Sequence, residues 1–154
     1  MESNILDEFQ LNKNSIRRRE LLPTWVKIFI WIFMIFGFMS PVIVVLAILG
    51  YQPNLSLYGI GTTDTFSLLG ILLVLLFLLK GAVSYGLWME KGWAINLAIG
   101  DAIIGLVICA MVMFSPLLFS SLGMNHNVRL EIIPLYFYFK KMTNIKERWL
   151  EIAE

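Results

Sequence analysis

The chain is poor in the residues that most chemistry needs. It has one cysteine, Cys109, and one histidine, His126. A single cysteine excludes an intrachain disulfide and every zinc site built on two or more thiolates. With the histidine isolated in a polar stretch, no metal and no cofactor is expected. Charge is scarce: 15% of residues are Asp, Glu, Lys or Arg, where soluble domains carry about 25%. The 12 basic and 11 acidic residues leave a net charge of +1, so no nucleic-acid partner is expected. No glycine-rich phosphate loop and no nucleophile with an adjacent base can be read from the chain. An enzyme is therefore not expected.

What is abundant is apolar surface. Hydrophobic residues make up 58% of the 154, and the mean hydropathy is +0.77. A soluble core does not need that much; about 45–50% is usual. The excess is gathered into runs. The first covers about 24–50, with Trp25 and Lys27 suited to the headgroup level. A helix of that length measures about 40 Å against a hydrocarbon core of about 30 Å, so it must tilt, kink or protrude. Ser40-Pro41 offers the kink. Such a run is also too long for a signal-peptide core.

Residues 51–65 form a connection broken by Pro53, Asn54, Gly59 and Gly61, in which the alternation of Leu55 and Leu57 suggests a short extended or interfacial piece. The second and third runs, about 66–89 and 93–114, are joined by the tight turn Glu90-Lys91-Gly92. Ser115-Pro116 is expected to end the third. The fourth segment, 128–142, reads VRLEIIPLYFYFKKM, and its uncharged stretch Ile132–Phe139 has eight residues. It is short for a span, which usually takes about 17–25 residues. It is either a short span with snorkelling charges or an interfacial helix.

Charge placement favours the span. If residues 1–23 are cytoplasmic, so are Arg17, Arg18, Arg19, Lys27 and Lys91, while loops 51–65 and 115–127 contain no Lys or Arg. A spanning fourth segment adds Lys140, Lys141, Lys146 and Arg148 to the same side, so that with Lys13 ten of twelve basic residues lie inside. The expected fold is an all-α integral membrane bundle of four transmembrane helices, the fourth short, with both termini cytoplasmic. Polar tails at 1–23 and 143–154 flank the 24–142 bundle, the latter as a short helix continuing the fourth span. Arg17, Arg18, Arg19, Lys140 and Lys141 are read as topology signals and lipid-headgroup contacts. The short loops point to a bacterial cytoplasmic membrane.

Ionisable residues inside spans are costly and therefore informative. Four stand out: Lys80, Asp101, Arg129 and Glu131. Lys80 and Asp101 flank the Lys91 turn by eleven and ten residues, or about 16 and 15 Å along a helix. Glu131 is nine residues from Lys140, or about 14 Å. The three are expected at one mid-bilayer level, with Glu131 inward beside Leu135 and Tyr138 and Arg129 snorkelling outward. Asp101 shares a helix face with Ala94, Ala98 and Gly105, and Ala82 and Gly86 lie four apart on the second span, so these small residues are read as helix contacts. Which carboxylate holds Lys80 is open.

Blander readings apply elsewhere. Cys109 is a packing residue, His126 a solvated one. Ser84 near Lys80 is the one remote hint of embedded-enzyme chemistry. The aromatic run 136–139 with Trp88, Trp93 and Trp149 reads as an interfacial belt. The leading functional expectation is a subunit acting by interaction, with a membrane-protein partner or a second copy and a buried charge clamp. The alternative is an oligomeric transporter or channel subunit that uses Lys80, Asp101 and Glu131 for protons or small ions.

Overall fold

A computed structural model describes residues 17–118 and 130–152, and for 115–118 the backbone alone. Two of the singled-out residues, His126 and Arg129, lie outside the described residues. A 3-10 turn, Arg18–Leu21, leads into helix α1, Thr24–Ile48. A hairpin of strands β1, Leu55–Leu57, and β2, Ile60–Thr62, follows. Then come helices α2, Leu68–Trp88, α3, Ala94–Leu118, and α4, Ile132–Glu151. The first three helices are long and apolar enough to cross a bilayer. The chain is a helical membrane protein. Helix α4 is not among those three; its polar residues follow a helical period and leave one apolar face.

Proline does not stop helices here. Pro41 lies inside α1, and α3 continues past Pro116 to Leu118, each proline removing one backbone bond without breaking the element. The stops come from backbone caps. At the end of α1, Gly50 takes φ +89° and Tyr51 N–H bonds the Leu46 carbonyl at 3.0 Å. At the end of α2, Glu90 takes the same left-handed conformation with φ +56°, and Lys91 N–H bonds the Gly86 carbonyl at 2.9 Å. Both are the Schellman arrangement, which usually asks for glycine at that position. Glu90 is held there by two arginines that precede α1, Arg18 on its carbonyl and Arg19 beside its carboxylate.

Helices pack where side chains are smallest. Gly37 of α1 and Gly81 of α2 cross so closely that a Cβ on either would fall on the other's backbone. Ser40 Oγ adds a bond to the Val74 carbonyl at 3.3 Å. At the α2–α3 turn Gly86 receives the Trp93 ring and Ala94, and Ala94 and Ala98 are wholly buried. Ala82 faces outward, against expectation; the contact falls one residue earlier, at Gly81, about 100° around the helix.

The connection 51–65 inserts into the bundle. Tyr58 and Gly59 both have positive φ, +53° and +81°, the type I′ turn that suits a two-residue hairpin. Leu55 packs with Leu73, Val74 and Phe77, and Tyr58 with Leu76, Ile108 and Cys109. Cys109 is buried there, as a packing residue should be. Ser67 caps α2 by accepting from Gly70 N–H at 3.1 Å.

Helix α4 lies antiparallel on α3. Leu135 seats against Gly105, and Trp149 Nε1 donates to the Lys91 carbonyl at 3.0 Å. The two contacts are equally spaced along both helices, so one register holds throughout. Met142, Ile145 and Trp149 enter a core with Val26, Ile30, Leu87, Ile95 and Ala98. Residues beyond 142 are thus part of the bundle, and Trp149 is buried instead of joining an interfacial belt. Both described ends of the chain lie at one end of the bundle, beside the Lys91 turn.

Two stability outcomes follow. Gly81→Leu overpacks the α1–α2 crossing and should cost about 1–3 kcal/mol or more, while Gly100→Ala, where a Cβ meets nothing within 4 Å, should not destabilise; thermal unfolding in detergent separates them. Trp149→Phe keeps most of the ring but leaves the Lys91 carbonyl without its donor, and should cost about 1 kcal/mol or more in the same assay.

Candidate intramembrane charge site

Lys80 sits midway along α2 and Asp101 two turns into α3, and the tight turn between them makes the helices antiparallel neighbours. Their side chains meet. Lys80 Nζ lies 2.9 Å from Asp101 Oδ2 and 3.2 Å from Oδ1. The side chains are 3% and 6% exposed. An ammonium and a carboxylate at this burial survive only as a pair, because each alone would carry a large desolvation cost. Two rings complete the ammonium's surroundings, Phe33 at 4.7 Å and Tyr58 at 5.0 Å from Nζ to the centroids. Both distances suit cation–π attraction. Lys80 is thus held by four elements: its own helix, α3, α1 and the hairpin.

The Tyr58 hydroxyl is wedged against Gly105, where a Cβ would collide with it. It is buried and has no hydrogen-bond partner among the described residues. Burial first, and the Asp101 carboxylate second, push its phenol well above the ordinary value of 10.0. It therefore stays a neutral hydroxyl. Small size at Gly105 serves both the hairpin tip and Leu135 of α4.

Glu131 stands elsewhere. Its helix is anchored at Trp149 on the Lys91 turn, not at Lys140, which shifts α4 along α3 relative to the sequence expectation. The Leu135–Gly105 contact then sets Glu131 level with Cys109, eight residues past Asp101, or about 12 Å by helical rise. Glu131 is exposed at the first turn of α4 and joins no ion pair among the described residues. The shared depth expected for three charges holds for two. Lys80 belongs to Asp101.

A cleft of about 300 Å³ links these groups. One wall is the stripe Trp25, Phe29 and Phe33 of α1; the other is Glu131, Leu135 and Tyr138 of α4. Lys80, Asp101 and Ser84 lie along its inner side and Tyr58 at the hairpin end. It exists because α1 and α4 are separated along this stretch by the hairpin and come together only toward the Lys91 end, in the cluster of Val26, Ile30, Met142, Ile145 and Trp149.

The arginines before α1 act at that end. Arg18 Nη1 donates to the Glu90 carbonyl, and Arg19 Nη2 to the Trp88 carbonyl at 2.7 Å. Arg19 also lies 3.5 Å from the Glu90 carboxylate and over the Trp88 ring at 3.9 Å. These bonds satisfy carbonyls left orphaned at the C-terminus of α2 and oppose its negative dipole end. They also hold Glu90 in its left-handed turn. Arg18 is buried at 7% exposure, so it is not a headgroup contact; exposed Arg17 remains a candidate for that role, whereas Lys140 and Lys141, level with Gly100 and Ile99 by the register of α4 on α3, stand inward of the turn. The sequence signal for this latch was the position of the arginines within reach of a helix end, which resembles any juxtamembrane basic run.

The pairing makes a definite energetic demand. Lys80→Met and Asp101→Asn should each destabilise the protein by about 3–5 kcal/mol, because each strands a buried charge. The double variant Lys80→Met with Asp101→Leu should recover most of that loss, measured by thermal or denaturant unfolding in detergent. No protein family, curated protein or solved structure matches this chain.

Proposed function

We propose that the protein acts by interaction, as an accessory or regulatory membrane subunit whose core is fixed by the Lys80–Asp101 clamp. The observation that carries this reading is the outer face of α4. Lys140, Thr143, Asn144, Glu147 and Arg148 are exposed there. By its register on α3, Lys140 stands level with Gly100, nine residues inward from Lys91. Helix α2, with 21 residues, measures about 31 Å, just the thickness of a hydrocarbon core. Lys140, Thr143 and Asn144, level with Gly100, Leu97 and Asn96, therefore fall at hydrocarbon depth, and Glu147 and Arg148 reach its edge at the turn. Acyl chains do not satisfy such a face, whereas polar groups of a neighbouring protein do.

The membrane is read as a bacterial cytoplasmic one, with both termini and the Lys91 turn inside. The basic residues of the two tails and the turn support that orientation. A second reading is an oligomeric transporter or channel subunit for protons or small ions. Its support is that Lys80, Asp101 and Glu131 line one cleft. It requires ion flux in proteoliposomes that Asp101→Asn abolishes.

The interaction reading is tested with a photo-crosslinking residue at position 144 in native membranes. A discrete protein adduct, either a second copy or another membrane protein, is expected, and Glu147→Lys should abolish it without lowering the melting temperature. Adducts to lipid alone, with a monomer in native nanodiscs, would overturn it.

A further inference from the structure

The cleft between α1 and α4 has features that the clamp does not use. Its α1 wall is an aromatic ladder: Trp25 meets Phe29 edge-on at 6.2 Å between centroids, and Phe29 stacks on Phe33 at 6.0 Å. Trp25 and Phe29 stay more than a third exposed, so their outward faces are open for contact. These rings already show what they attract, since Phe33 and Tyr58 carry the Lys80 ammonium on their faces. Tyr58, only 7% exposed, lines the same cleft, its hydroxyl against Gly105 and without a hydrogen-bond partner among the described residues. The described charges lining the cleft are one ammonium, Lys80, and two carboxylates, Asp101 and Glu131. The first two cancel, which leaves Glu131 as the excess negative charge. The hairpin beside it contains no Lys or Arg. At about 300 Å³, the space is at the lower end of small-ligand sites.

We propose that this cleft binds a hydrophobic organic monocation, an ammonium group on an apolar body, with the ammonium paired to Glu131 and the body running along Leu135 and Tyr138 toward Phe33. Aromatic faces favour a weakly hydrated cation such as a quaternary ammonium over a metal ion. A neutral body of the same shape would leave Glu131 uncompensated beside it. An anion would face repulsion from the same carboxylate. Binding here is a property separate from any partner on the outer face of α4 and holds whether or not the ligand is transported.

The test is equilibrium dialysis of benzyltrimethylammonium against the full chain in maltoside micelles, beside its neutral isostere neopentylbenzene and the anion benzenesulfonate. The cation is expected to bind saturably, and the other two at least tenfold more weakly. Glu131→Gln, an exposed change that spares the core, should weaken the cation at least tenfold and leave neopentylbenzene unchanged. Added phosphatidylcholine that displaces the probe, where phosphatidylglycerol does not, would support the site and give its ammonium a lipid source; failure of both lipids to displace it would support a free organic cation. Equal binding of cation and isostere, or unchanged affinity in Glu131→Gln, would overturn the proposal; the latter would mean that Arg129 or another cation already neutralises Glu131. Absence of saturable binding by any probe would also overturn it.

Discussion

One buried ion pair governs the arrangement of this bundle. Two opposite charges deep in an apolar medium must meet, and the penalty for missing is several kcal/mol. The requirement fixes the rotation of α2 and α3 about their axes as well as their register. A short turn at Glu90-Lys91-Gly92 delivers the two helices side by side, and Lys80 and Asp101 then choose which faces touch. The Phe33 and Tyr58 rings extend the constraint to α1 and to the hairpin, because each must lie within reach of the same ammonium.

The remaining contacts are consistent with that center. Gly37 and Gly81 let α1 approach α2 one residue from Lys80. Gly105, one turn beyond Asp101, gives room to Tyr58 and to Leu135. At the Lys91 end, Arg18 and Arg19 bind carbonyls of the α2 terminus and Trp149 binds the turn itself. The chain's first and last described elements thus close on one short turn. The cleft is the space left between α1 and α4, since the hairpin and the ion pair hold those helices apart at mid-depth.

Much of this was legible in the residue order. Long apolar runs gave the three spans within a few residues, because twenty or so uncharged residues have few alternatives in a membrane. Counting from the Lys91 turn matched Lys80 with Asp101, since a minimal turn leaves little freedom of register. The same count failed for Glu131. It used Lys140 as the interface marker, whereas Trp149 is the anchor, and nothing in a run of mixed charges distinguishes those two. Ser115-Pro116 reads as a helix stop, yet α3 runs on to Leu118. Ala82 and Gly81 differ by one position, which periodicity alone resolves poorly. The inserted hairpin had a visible cue in Tyr58-Gly59, but a type I′ turn says nothing of depth.

The central claim is that Lys80 is a charged ammonium sealed against Asp101 inside the bundle. Nitrogen NMR of the lysine side chains in micelles addresses it directly. The account predicts one protonated amine whose protons exchange slowly with water, at a shifted resonance that disappears in Asp101→Asn. A Lys80 signal that exchanges as fast as those of exposed lysines, or that is unchanged by Asp101→Asn, would contradict it.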